Sequence, residues 1–375
     1  MNSTTLHSSH SSRRMLSIGA LQIATATLFV ALLPLSAQAE TTTFDAKSLL
    51  IVNLIGEIEV VGHSGDKFEV ETQILGEDAD QVELETEEGR SALLLVKFPL
   101  DEERDYVYPK LGRRSRTSFS ISKHSGSGTH RGWLHKLFGG RLVDGIDVRG
   151  SGSGMEVWAD IKVRVPEGGK LRVDHGVGNV VAKNVNGELV LETRSGSVDV
   201  ETSRGDLLVD TGSGHVTIFD VEGELVADTG SGHVEIEKVS GPMVNVDTGS
   251  GHVQVTDVEC EELRIDTGSG RVKALDIGTD EANIDTGSGS VTIEFVRMGD
   301  GDFIIDTGSG GIDILFPEDA SADILAETGS GGIRLDLVDP RIHHRDRDEM
   351  AVSIGDGDAR VRLDTGSGGI SIAQR

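Results

Sequence analysis

The chain has 375 residues with 49 Gly, 7 Pro, a single Cys, only 14 aromatic residues (10 Phe, 2 Trp, 2 Tyr) and a formal charge of -28. Glycine is about twice its ordinary ~7% usage, but it is not spaced every third residue and hydrophobics still make 37%, which excludes collagen and simple disorder. The charge argues against nucleic-acid binding, and one thiol, Cys260, excludes an intrachain disulfide framework or a zinc site built on several thiolates.

Residues 1–39 read as a secretory signal. Arg13 and Arg14 precede a mostly apolar run from Leu16 to Leu35, and Ala37-Gln38-Ala39 supplies the small-x-small cleavage site. The expected mature protein starts at Glu40, is exported to the periplasm or cell surface, and carries no transmembrane helix. Residues 40–103 hold short strands, Leu49 to Val61 above all, and are expected to form an irregular β cap with the first coils.

Residues 104–154 differ in character. From Lys110 to Val143 there are eight basic residues and no acidic one, in Ser/Gly-rich surroundings, which predicts a mobile insertion. Arg113, Arg114, Arg116, Trp133, Lys136 and Phe138 are its candidate contacts with an envelope surface component or a protein partner. The alternative is that the segment folds back on the protein's own acidic body.

Residues 155–375 are built on one repeat. DTGSG begins at Asp210, Asp228, Asp247, Asp266, Asp285, Asp306 and Asp364, with ETGSG at Glu327 and looser forms at Glu192 and Asp174. Successive starts differ by 18 to 21 residues until a final step of 37, which holds an insertion or two units. One and three residues before every anchor stand apolar side chains, such as Val209 and Leu207. Six residues after it the position is always β-branched, from Val180 to Ile370. That is the period-two code of half-buried strands, in a unit too short for a strand and a full helix. The expected fold is all-β: a parallel β-solenoid, right-handed, of about ten coils of 18–21 residues, with a loop insertion at residues 339–349. No cap follows Ile370, so an open last coil predicts self-association by strand addition at the C-terminal end.

DTGS after two apolar residues resembles the active-site motif of aspartic proteases. That chemistry needs two facing carboxylates, whereas here the motif recurs seven times, mostly at coil spacing. Its first task must be one every coil shares: the acid accepting backbone N–H groups in an Asx-turn, the glycines taking positive φ or approaching a neighbouring chain. Stacked carboxylates would also associate cations. Calcium is the alternative here, although calcium-binding β-rolls place Asp after the glycines. His215, His233 and His252 fall at one place in three adjacent coils, a candidate metal ladder or a solvated face. His343 and His344 lie in the late insertion. No catalytic residue and no cofactor is assigned.

The NLIGEIEVVG opening from Asn53, the VPEGGKLRVD entry from Val165 and the serial TGSGxVxI units resemble a bacterial family of adhesin-like proteins of unknown function with β-strand repeats, over residues 44–375. The resemblance implies an exported, non-catalytic β-solenoid at the cell envelope, adhesive or scaffolding through its acidic face. A polysaccharide-active enzyme and a cation-binding module are the alternatives.

Overall fold

The computed structural model describes residues 39–121 and 143–375; residues 1–38 of the expected signal segment lie outside them, as do Trp133, Lys136 and Phe138. The described chain is all-β apart from two short 3-10 turns. Twenty-six strands form one hydrogen-bonded system and four form a small second sheet.

Each repeat contributes two strands that pair in parallel with their counterparts in the neighbouring coil, and the strand before the glycine corner keeps its register from coil to coil. Leu207 lies against Leu225, Leu225 against Val244, Val244 against Leu263, Leu263 against Ala282 and Ala282 against Phe303. The strand Val253–Thr267 alternates buried and exposed positions for most of its length, with Val253, Val255, Val258, Leu263 and Ile265 inside. A one-residue slip would turn that whole set outward, so the apolar alternation itself fixes the stacking.

The repeat lengthens where the second corner changes. Asn184, Thr202, Asp220, Lys238, Asp257 and Asp276, each ten residues after its anchor, are left-handed, with φ between 53° and 60°. The next two equivalents are Phe295 and Phe316, both buried. Phe295 meets Phe303 edge-on at 5.3 Å, and the ladder shifts register at Ile277 and Phe295. A large inward ring replaces a tight turn, and the spacing grows from 19 to 21 residues there.

Both ends depart from chain order. Residues 40–103 hold both a cap and a coil, and Ser48–Ile55 and Ile58–His63 are the strands of the coil. They are enclosed between Gly169–Val177 with the start of Val180–Ser195 on one side and Ser91–Lys97 with Trp158–Pro166 on the other. Antiparallel strands cover this end on both faces: Glu83–Glu87 on Ser91–Lys97, and Phe68–Leu75 then Glu40–Phe44 on Trp158–Pro166.

At the other end the terminal coil, Ala359–Thr365 and Ile370–Gln374, is also enclosed. It lies between Asp302–Thr307 with Ile312–Phe316 and Ala322–Thr328 with Ile333–Asp336. The expectation of an open C-terminal coil is therefore corrected. The insertion is a hairpin, Arg341–Arg345 and Glu349–Ile354, that covers the outer edge of Ala322–Thr328.

The flanks of the basic insertion form strands. Asp105–Val107, Arg116–Ile121, Val143–Arg149 and Met155–Glu156 make the four-stranded sheet. Its Tyr106, Tyr108, Ile146 and Val148 join the main core, and Tyr108 packs on Trp158 at 5.8 Å.

Candidate functional site

The glycine corner is where the repeated signature acts, and its buried component is the threonine. Thr211, Thr229, Thr248, Thr267, Thr286, Thr307 and Thr365 are fully buried at the strand end. Each hydroxyl donates to a glycine carbonyl of the neighbouring coil, for example Thr286 to Gly270 at 3.0 Å and Thr307 to Gly289 at 2.7 Å. In Thr267, Thr286, Thr307 and Thr365 the same oxygen accepts the N–H of the second glycine of its own turn, as Gly289 to Thr286 at 3.0 Å and Gly310 to Thr307 at 3.1 Å. Threonine thus takes the turn-capping role that the sequence reading gave to aspartate.

The glycines answer to proximity, not to handedness. None of the DTGSG glycines has positive φ. A β-carbon on Gly251 would sit 1.6 Å from the Gly232 carbonyl oxygen, and one on Gly270 would sit 1.5 Å from that of Gly251. Coils spaced at the ~4.8 Å of a hydrogen-bonded ladder leave no room there for a side chain. Toward the N-terminal end His175 and Asn53 continue the threonine column. The buried His175 faces the carbonyls of Asn53 and Gly56 at 3.2 and 3.0 Å. Burial pushes its pKa down to about 4, against the pull of those carbonyls.

Outside this spine the acids form one column. Glu192, Asp210, Asp228, Asp247, Asp266, Asp285, Asp306, Asp364 and Glu327 follow one another in register. Partial shielding by the flanking strands, reinforced by the neighbouring carboxylates, raises the pKa of Asp228, Asp247, Asp285 and Asp306. Arg362 approaches Asp364 at 3.4 Å.

His215, His233 and His252 stack at 5.1 and 5.0 Å on the exposed side of the corner. Their Nδ1 atoms accept the N–H of His233, His252 and Arg271, at 3.3, 3.1 and 3.2 Å, so each ring caps the next coil. Parallel rings do not converge. Among the described residues no three His, Cys, Asp or Glu side chains are placed to hold a metal ion. His343 instead contacts Ser353 Oγ at 2.7 Å, tying its hairpin together.

The described basic residues divide between two arrangements. Arg113 and Arg114 are exposed, whereas Arg116 pairs with Asp147 at 2.6 Å within the small sheet. Lys110 docks on Glu57 and Asp160 of the main body at 3.1 and 3.0 Å. Beside that contact an open groove of about 530 Å³ runs over the outer sheet face, lined by Glu57, Glu59, Glu71, Asp160, Lys162 and Lys183. The sequence reading did not anticipate it, because it joins strands about a hundred residues apart.

The family model described as Toastrack DUF4097 matches residues 57–373. The chain belongs to this family. Two crystal structures are similar to it. One is a candidate adhesin from Bacteroides fragilis NCTC 9343, with 9% identity, 91% of this chain and 98% of that chain covered, and a TM-score of 0.34. The other is a candidate cell adhesion protein from Clostridium sporogenes ATCC 15579, with 12% identity, 90% and 100% covered, and a TM-score of 0.18. No curated protein matches the sequence. No helix among the described residues of this Toastrack chain is long and apolar enough to cross a membrane.

Proposed function

We propose that the protein is a non-catalytic, exported β-solenoid of the cell envelope that presents its acidic column as an adhesive or scaffolding surface. The column of register-matched carboxylates from Glu192 to Glu327 carries this reading. Acid-base catalysis needs two groups whose surroundings set them apart. Here the acids are serial equivalents, a geometry suited to a linear, periodic, cationic or cation-bridged partner. On this reading the repeat is a right-handed rod of about ten signature-bearing coils, and its partner is an envelope surface component in the periplasm or at the cell surface.

The test is retention on isolated envelopes of the wild type and of a variant with Asp228, Asp247, Asp266 and Asp285 all changed to Asn. The expected result is at least a ten-fold loss of retention by the variant, together with salt-sensitive binding by the wild type. Equal, salt-independent retention would remove the acidic column from the function.

A further inference from the structure

The enclosed C-terminal coil has a consequence for self-association that is separate from any envelope ligand. The chain leaves the coil ending at Phe316, forms the outermost coil from Ala322 to Asp336, turns through the capping hairpin and only then returns to fill the space left between them. Three coils with the same acid-Thr-Gly-Ser-Gly signature therefore lie in the spatial order Asp306, Asp364, Glu327, while the sequence order is Asp306, Glu327, Asp364.

What holds the returning coil is repeat chemistry and not connectivity. Thr365 Oγ1 donates to the Gly310 carbonyl and Thr328 Oγ1 to the Gly368 carbonyl, both at 2.7 Å, the bond that Thr211, Thr229, Thr248, Thr267, Thr286 and Thr307 also make. Val361, Leu363, Ile370 and Ile372 fill the same inward positions as their counterparts. Any copy of the segment in this register would satisfy the slot equally well. The connector, residues 355–358, is short and turns at two left-handed glycines, Gly355 and Gly357. Three of its N–H groups, those of residues 356–358, point at one side-chain oxygen, Ser321 Oγ.

We infer that the slot accepts the terminal coil, residues 359–375, of a second copy of this chain, so that the protein self-associates by reciprocal coil exchange. Closed and exchanged forms make identical contacts within the slot. They differ only in the connector and in the cost of joining two molecules, the condition under which identical elements swap between protomers.

Asp313 and Ser371 face each other across the slot in parallel register, at a spacing a disulfide can bridge. The full chain is prepared with Cys260→Ser and either Asp313→Cys or Ser371→Cys, and the two single-site variants are mixed under mild oxidation. Exchange predicts a covalent dimer at least ten-fold more abundant in the mixture than in either variant alone. A chain carrying both substitutions should close internally, which shows that the geometry and the fold are intact. If that chain closes while the mixture gives no excess dimer, coil exchange is wrong.

Discussion

The two corners of each coil do the same topological job by opposite means. At the first, the chain reverses through Thr-Gly-Ser-Gly, with the threonine buried, its hydroxyl bonded across to the next coil, and the glycines pressed against a neighbouring carbonyl. At the second, it reverses through a single left-handed residue whose identity runs from Asn184 to Lys238, with its side chain outside. The difference lies in what each corner touches. The first corner contacts another copy of itself, so every coil constrains the next and the sequence repeats almost letter for letter. The second exposes its side chains, which meet across coils only in particular pairs, such as Thr202 and Lys238 with Asp220, and there the backbone dihedral is the one constraint the corners share. It is also the corner that yields when Phe295 and Phe316 turn inward.

The comparison breaks most sharply at a glycine. Gly251→Ala places a methyl group 1.6 Å from the Gly232 oxygen, a clash that only separation of two coils can relieve. A loss of roughly 4 kcal/mol or more, or an unfolding transition split in two, is expected in urea titrations, in the range reserved for strained or overpacked sites. Wild-type stability would mean that the coils are further apart than described. Thr286→Val comes next. It keeps the shape but strands the Gly270 carbonyl and the Gly289 N–H. About 2–3 kcal/mol should be lost, and Thr286→Ser should recover most of it.

How much of this was legible follows from the same asymmetry. The strands, their inward residues and the acidic column could be read because register-matched contacts force serial identity. The threonine was visible in every DTGSG yet passed over, because Asp and Gly are the familiar turn residues while a buried hydroxyl declares itself only once the neighbouring carbonyl is in place. The second corner was unreadable: Asn184, Thr202, Asp220 and Lys238 share a dihedral but no side-chain type, and the contacts of Thr202 and Lys238 with Asp220 exist only once the coils are stacked. Neither enclosed end could be read either, since the strands Ala322–Thr328 and Ala359–Thr365 carry the same pattern and nothing local says which lies outermost.

The acidic column offers a smaller effect of opposite sign. Partial shielding and neighbouring carboxylates raise the pKa of Asp247 in the folded state. In the window between the unfolded carboxyl value of ~3.9 and the raised folded value, the native state holds more protons. Stability contributed by this group therefore falls as pH rises through the window, and at neutral pH the penalty is fully present. Asp247→Asn removes two like-charge neighbours, Asp228 and Asp266, each costing about 0.9 kcal/mol at ~4.8 Å in water-like dielectric. A gain of about 1–2 kcal/mol is expected at low ionic strength, shrinking in salt and on acidification into the window. Thermal melts of both proteins at paired pH values isolate it from the other carboxylates. A gain that grows with acid would contradict the sign.

The smallest effect belongs to the second corner and sharpens the comparison most. Thr202 is β-branched and held at φ 59°, a region such residues disfavour. Asn is tolerated there, as Asn184 shows one coil earlier, and its amide can replace the Thr202 Oγ1 donor to Asp220 Oδ2, now 3.1 Å away. Relief of part of the ~1–2 kcal/mol left-handed penalty should make Thr202→Asn more stable by about 0.5–1 kcal/mol. The same substitution at the first corner, Thr211→Asn, forces a larger amide into a fully buried position that bonds the Gly196 carbonyl, and should destabilise. Opposite signs for one chemical change at two corners of one coil would show that neighbour contact, not turn propensity, writes the repeat. Equal signs would show that the two corners obey a single rule.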